Sequence, residues 1–285
     1  MYLVKVASLQ GWFDILCNKA TIAHFTGEKF ACLPIVLPPA HEQHAIAAFL
    51  DPETGRIDTL MEKKQRQIEL LQEKRAALIS HAVTKGLDRS AKMKHSGVKW
   101  LGNIPEHWDV VRFKYCMVLQ RGHDLPTDQF IEGTYPVYGS NGVIGYHNQY
   151  TTVGPSITVG RSGSVGEVNY IEDNFWAHNT ALYVKTFLRA VPQFAYYLLK
   201  ALDVKYLSEG TAVGTLNRNY IHDLVIPLPS HAEQTGIVLF LDRETARIDA
   251  LMGKVKASIE KLKEYRTALI SAAVTGRIDV RVKVK

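Results

Sequence analysis

The sequence predicts an α+β protein: a β-rich globular domain flanked by two long helices that pair as an antiparallel coiled coil. A duplication is the first support. "RAALISHAVT" from Arg75 to Thr84 returns as "RTALISAAVT" from Arg266 to Thr275. Aligned at one constant offset, Leu37–Asp88 and Leu228–Asp279 share about 29 of 52 residues, far beyond what unrelated amphipathic helices share. Both copies also carry an apolar heptad, and the stretch between them is broken into short segments by turn residues.

The repeated segment reads as helix. In the first copy Ile57, Met61, Lys64, Ile68, Leu71, Arg75, Leu78 and Ala82 recur at alternating spacings of four and three; in the second, Ile248, Met252, Val255, Ile259, Leu262, Arg266, Leu269 and Ala273 do the same. Such a seam needs an apolar partner stripe, and each copy is the other's natural partner. The expected helix-pair interface is therefore Ile57, Met61, Ile68, Leu71 and Leu78 with Ile248, Met252, Ile259, Leu262 and Leu269. Packing within a single bundle is the blander alternative for any one helix. Arg75 and Arg266 interrupt both seams at one register, either fixing that register or snorkelling at its edge. Asp51 as cap and Pro52 in the first turn predict that the first helix starts there. Arg243 replaces Pro52 in the second copy, so that helix is expected to run through from about Glu233. Gly86 and Gly276 mark the expected stops.

Between the copies, "YPVYGSNGVIGYHNQY", "PSITVGRSGSVGEVNYI" and "FWAHNTALYVK" alternate apolar residues with Gly and Asn turns, as strands and hairpins do. "VPQFAYYLLKAL" (Val191–Leu202) reads as a helix with Phe194, Tyr197, Leu198 and Ala201 on one face, and "VIPLP" as a closing strand. Near the N-terminus, "ATIAHFTGEKFACLPIVLPP" aligns weakly with "TAVGTLNRNYIHDLVIPLPS", so the chain is expected to begin inside the tail of an earlier copy of the middle domain. The organisation expected is a remnant over 1–36, a helical region over 37–90, the middle domain over 91–225 and a second helical region over 226–285.

Composition narrows the function classes. The chain has 285 residues with 46% hydrophobic and 22% charged content, values of an ordinary globular protein. No run of about 18 apolar residues exists, so no membrane association is expected. Three cysteines without metal spacing point to a reduced, cytoplasmic setting. The formal net charge of +6 invites a nucleic-acid reading, yet roughly ten Lys/Arg against eleven Asp/Glu between Ser96 and Val225 leave the middle domain near neutral. Any DNA reading must rest on local chemistry.

The phrase "SGVKWLGNIPEHWDVVRFKY" (Ser96–Tyr115), with "YPVYGSNGVIGY", "GRSGSVG", "LNRNYI", "IPLPSHAEQ" and the repeated "RIDxLM…ALIS", resembles the DNA-specificity subunit of type I restriction–modification enzymes. The resemblance covers about residues 20 to 280 and implies target-recognition domains, each followed by a helical region, with the helical regions paired as a spacer. By its pattern a full member begins with a whole recognition domain, so this chain is expected to be truncated or half-sized, with one intact domain. The implied function is sequence-specific binding of double-stranded DNA, reading one half of a bipartite target, with docking of methyltransferase (modification) and restriction subunits. S-adenosylmethionine, ATP and Mg are then expected on those partners, and no cofactor on this chain. Two such chains pairing head to tail would restore two readers. About thirty residues of helix span about 45 Å, against about 34–36 Å for one DNA turn, so a helical pair suits a ruler between half-sites. The alternative function is a coiled-coil adaptor without sequence-specific DNA binding.

Under that resemblance the candidate DNA-contact residues are Arg161, Ser162 and Ser164 of "GRSGSVG", Asn179 and Thr180 of "AHNTALY", and Thr215, Asn217, Arg218 and Asn219 of "TLNRNY". Arg suits guanine edges, Asn suits adenine edges, and Ser and Thr contact phosphate or either base. Plain turn and helix-cap chemistry is the standing alternative. "GRSGSVG" lacks the Lys of a phosphate loop, and "EVNYI" after it reads as a strand, not the helix a dinucleotide fingerprint needs. His41 and His44 lack further ligands, and Ala232 and Thr235 replace them in the second copy, so no metal site is expected. In "IPEHW" Glu106 and His107 have no positioned nucleophile; a packed turn with Trp100 and Trp108 about Pro105 is expected, and no catalytic residues.

Overall fold

The computed structural model describes residues 1–9, 31, 37–208 and 214–280, so most of the expected remnant over 1–36 lies outside the described residues. Helices α1 (Tyr2–Leu9), α2 (Ala40–Lys85), α3 (Pro192–Ala201), α4 (Arg218–His222) and α5 (His231–Val274) alternate with strands. These are β1 (Met93–His95), β2 (Asn103–Pro105), β3 (Asp109–Arg112), β4 (Met117–Arg121), β5 (Tyr135–Gly139), β6 (Gly142–His147), β7 (Ser156–Gly160), β8 (Val168–Ile171), β9 (Trp176–Ala177), β10 (Ala181–Phe187) and β11 (Val225–Leu228). Two compact units result, Met1–Leu71 with Asp249–Lys285, and Gln72–Ile248.

In the first unit α2 and α5 meet antiparallel. Leu50 packs with Ile270 and Ala273, the Asp58 carboxylate takes two hydrogen bonds from Arg266 at 2.8 and 2.9 Å, and Ile68 packs with Val255 and Ile259. Residue numbers rise along one helix as they fall along the other. Along the heptad, Ile57, Ile68, Ile248 and Ile259 are buried, and Met61, Leu71, Leu78, Met252, Leu262 and Leu269 are half-buried. The expected start of the first helix at Asp51 is overturned, because α2 begins at Ala40 and passes through Pro52. Proline inside a helix forgoes a hydrogen bond and costs about 3 kcal/mol. Burial outweighs that local penalty: Leu50 is fully buried, and Thr54 Oγ1 donates to the Leu50 carbonyl at 2.7 Å. α5 starts at His231, close to the expected Glu233.

The second unit is the β-rich one. Its main sheet has the antiparallel order β4-β10-β7-β8, and a second sheet has the order β6-β5-β9, with β5 and β9 parallel. Two further pairs, β1 with β2 and β11 with β3, complete it. Phe194, Leu198 and Leu199 of α3 share a core with Leu119, Ile157, Val159, Leu182 and Val184 of the main sheet, with Ile79 and Val83 of α2, and with Ile237 and Leu241 of α5. Expected strands at "EVNYI" and "VIPLP" appear as β8 and β11. Around Pro105 only half the expected turn is packed. Trp108 is buried, whereas Trp100 is exposed because no partner surface covers it among the described residues.

The duplication is also visible in hydrogen bonds. Within the second unit the Tyr197 hydroxyl donates to Asp242 at 2.6 Å and lies 3.5 Å from Thr245 Oγ1. Within the first, the Tyr2 hydroxyl donates to Asp51 at 2.7 Å and lies 3.2 Å from Thr54 Oγ1. Asp51 and Thr54 are the repeat counterparts of Asp242 and Thr245. Helix α1, "YLVKVASL", therefore stands against the first repeat as "YLLKA" of α3 stands against the second.

Candidate nucleic-acid interface

Three neighbouring strands of the main sheet place their ends together. Leu182 of β10 is the register partner of Arg121 at the end of β4, and Ala181 that of Gly160 at the end of β7. Segment 121–124, segment 178–180 and the loop after Gly160 thus emerge side by side. Close packing locks them. Gly122 N–H donates to the Ala181 carbonyl at 3.0 Å and His123 N–H to the Ala177 carbonyl at 2.7 Å. A Cβ on Gly122 would stand 2.1 Å from the His178 carbonyl oxygen, and one on Gly160 would stand 2.0 Å from that of Ser164. Only glycine permits either approach.

A fourth segment closes the arrangement. Leu216 N–H donates to the Arg161 carbonyl at 2.8 Å, which draws the stretch before α4 against the β7–β8 hairpin. Asn217 caps α4 by accepting from Asn219 N–H at 3.0 Å. At its far end α4 is tied to the sheet, because His222 Nε2 accepts from Leu119 N–H at 2.9 Å while its ring stacks on Phe113. That acceptor role requires a neutral imidazole. Burial first, then the positive charges of Arg218 and Lys114, hold the His222 pKa below its ordinary value, with Asp223 opposing.

Together these segments enclose an open cleft of about 760 Å³ lined by Gln120, Arg121, Gly122, His123, Asp124, Arg161, Leu182, Thr215, Leu216, Asn217, Arg218 and Tyr220. Of the candidates read from the sequence, Arg161, Thr215, Asn217 and Arg218 line it. Asn179 stands beside it, its Nδ2 donating to Asp124 and its backbone carbonyl accepting from Arg161 at 3.4 Å. Thr180 serves the frame: its carbonyl takes Arg161 N–H at 2.9 Å and Ser162 N–H at 3.2 Å, and its hydroxyl lies 2.9 Å from His178 Nδ1. Ser162 is half-buried, while Ser164 and Asn219 are exposed, and none of these three lines the cleft. Arg121, Asp124, Gln120 and Tyr220 are the residues that sequence reasoning missed. "QRGHD" after an apolar run has the same strand–Gly–Arg texture as "GRSG", and that was the available signal.

Electrostatically the cleft gathers three guanidinium groups, Arg121, Arg161 and Arg218, and one carboxylate. Arg121 donates to Asp124 at 2.9 Å. The Asn179 hydrogen bond, with a lesser contribution from the Arg121 charge, holds the Asp124 carboxyl below its usual range against desolvation. Three cationic forks with amide and phenol groups between them suit recognition of phosphates and base edges. Among the described residues no group of three His, Cys, Asp or Glu is placed to hold a metal ion, and no helix is long and apolar enough to cross a membrane.

Fold and cleft together define a mixed α+β module whose sequence lies between two long helices and which bears an arginine-lined groove at one sheet end. The chain belongs to the family of type I restriction modification DNA specificity domains, whose model matches residues 2–70 and 105–261. It is 31% identical over 133 residues to the specificity subunit of type I restriction enzyme MjaVIII of Methanocaldococcus jannaschii, covering 46% of this chain and 30% of that protein. Against the EcoDI specificity subunit of Escherichia coli it is 23% identical over 180 residues, covering 62% and 40%. The matched part thus spans less than half of either relative. Among solved structures, a chain from a study of assembly and conformational transition of the type I R-M system superposes with a TM-score of 0.75 at 15% identity, covering 96% of this chain and 68% of that one. The HsdS subunit of Thermoanaerobacter tengcongensis superposes at 0.55 and 16% identity, covering 97% and 69%.

Proposed function

We propose that this chain is a non-catalytic, sequence-specific reader of double-stranded DNA within a type I restriction–modification assembly. The observation that carries the proposal is the convergence of Arg121, Arg161 and Arg218, from three separate segments, on one cleft of a domain whose overall charge is near neutral. A guanidinium fork spans the O6 and N7 acceptors of guanine, and glutamine or asparagine matches adenine. With one such module, the chain reads one part of a divided target. The seam helices α2 and α5 are the surfaces proposed for docking methyltransferase and restriction subunits, which would bring S-adenosylmethionine, ATP and Mg. Head-to-tail pairing of two chains would supply a second reader.

Electrophoretic binding of the chain with its methyltransferase partner to a random duplex pool tests the proposal. Enrichment of one short sequence is expected, and equal retention of all duplexes would leave the adaptor reading instead. Light scattering tests the pairing: a strict monomer, with and without the partner, would remove it.

A further inference from the structure

We propose that Asp124 is a specificity-determining positioning residue: its carboxylate fixes Asn179 and Arg121 for reading base edges and repels DNA that offers only phosphates. The inference rests on the DNA-reading proposal and adds a residue to it. The placement is unusual for such a site. A polyanion binds through cations, and a carboxylate in its groove weakens every phosphate-only contact.

What the carboxylate does there is visible in its partners. Oδ1 of Asp124 accepts both from Arg121 at 2.9 Å and from Nδ2 of Asn179. The backbone carbonyl of Asn179 in turn receives Arg161 at 3.4 Å and leaves the side-chain oxygen out of that bond, so one connected set joins two of the three guanidinium groups. A primary amide whose nitrogen faces a carboxylate cannot rotate half a turn, because its oxygen would then meet the negative charge. Asn179 therefore keeps one N–H and its oxygen in a fixed order, the donor–acceptor pair that an adenine edge requires. Arg121 is likewise held by one nitrogen and keeps its other donors. The two segments involved cannot drift apart: a backbone bridge joins His123 to His178, and the Gly122 contact leaves no slack. Asp124 itself is 66% exposed, so its function is orientation rather than core stability.

The test uses the whole chain with its methyltransferase partner, comparing wild type with Asp124→Ala, Asp124→Asn, Arg121→Ala, Arg161→Ala and Arg218→Ala. Affinity is measured for the duplex selected from a random pool and for an unrelated duplex, at several salt concentrations. For Asp124→Ala the ratio of the two affinities should fall about tenfold or more, the discrimination carried by one bidentate pair. The unrelated duplex should bind more tightly than to wild type. Asp124→Asn, which keeps an acceptor for Asn179, should retain more of the ratio while also gaining affinity for unrelated DNA. An unchanged ratio in Asp124→Ala, or equal weakening of both duplexes, overturns the positioning role. If the arginine variants shift the preference while Asp124→Ala does not, this inference fails alone. If none of the arginine variants changes either affinity, the cleft reading fails with it.

Discussion

Side chains in the cleft carry separable roles, and substitution should separate them. Arg218→Ala is expected to cost about 1–3 kcal/mol of discrimination at one base pair. Lys256→Ala, on an exposed face of α5, should leave the preferred sequence unchanged, as read from duplexes selected out of a random pool. Gly160→Ala should fail to fold, since its Cβ meets a backbone oxygen at 2.0 Å; a soluble variant with an unaltered melting curve would contradict that. His222 gives a pH test. Its folded pKa lies below the ordinary 6.5, so its contribution is full above that value and is lost as pH falls through the lowered folded pKa. Melting temperature should therefore drop more between pH 7.5 and 5 in wild type than in His222→Gln, which keeps an acceptor for Leu119; parallel curves would refute the linkage. Half of this site was legible from residue types alone. Arg161 and Arg218 stand in Gly- and Asn-marked turns, a texture that suggests exposed function. Arg121 and Asp124 stayed hidden because only the pairing of β4 with β10 brings them to Asn179, and strand pairing leaves no trace in linear spacing.

Whole helices show where local rules stop. Heptad spacing located both long helices, and the first still begins eleven residues before Asp51, the cap that local rules take as its start (Ala40 against Asp51). Burial of Leu50 decides that boundary, and burial depends on partners distant in sequence. The start of α5 is set by side chains. Ser230 N–H and hydroxyl donate to Glu233 Oε2 at 3.1 and 2.7 Å, while Glu233 N–H returns to Ser230 Oγ at 3.3 Å. His107 and the Trp108 indole hold the other oxygen at 2.6 and 3.0 Å. Desolvation alone would raise the Glu233 pKa, but these hydrogen bonds outweigh it and bring it to about 2. The stability so gained is present above the unfolded value of 4.5 and lost as pH falls toward about 2. Discounted for partial exposure, Glu233→Gln should cost roughly 1–2 kcal/mol at pH 7 and much less at pH 3, measured by urea unfolding. Between the helices, Arg266→Ala should cost roughly 1–2 kcal/mol, with part recovered in the charge-swapped Asp58→Arg/Arg266→Asp pair.

At the scale of the molecule, burial is unequal. The core joining Phe194, Leu198 and the main sheet is far larger than the clusters around Leu50 and Ile68. Opening free energy follows buried apolar contact, so amides of β4, β7 and β10 should outlast those of residues 57–70 in hydrogen exchange. Equal protection in the two units would show that they unfold as one. The doubled Tyr–Asp–Thr contact went unread in the sequence because tyrosines 2 and 197 are displaced by four residues from the offset that aligns the rest. A last consequence follows from the crowded glycines. Gly122 and Gly160 admit no side chain, so the backbone around the cleft is fixed, while the side chains of Arg161 and Arg218 line it without such crowding of the backbone. If the cleft reads DNA as proposed, frame and alphabet are thereby kept apart: a lineage would change what it reads by single substitutions without rebuilding the shape around them.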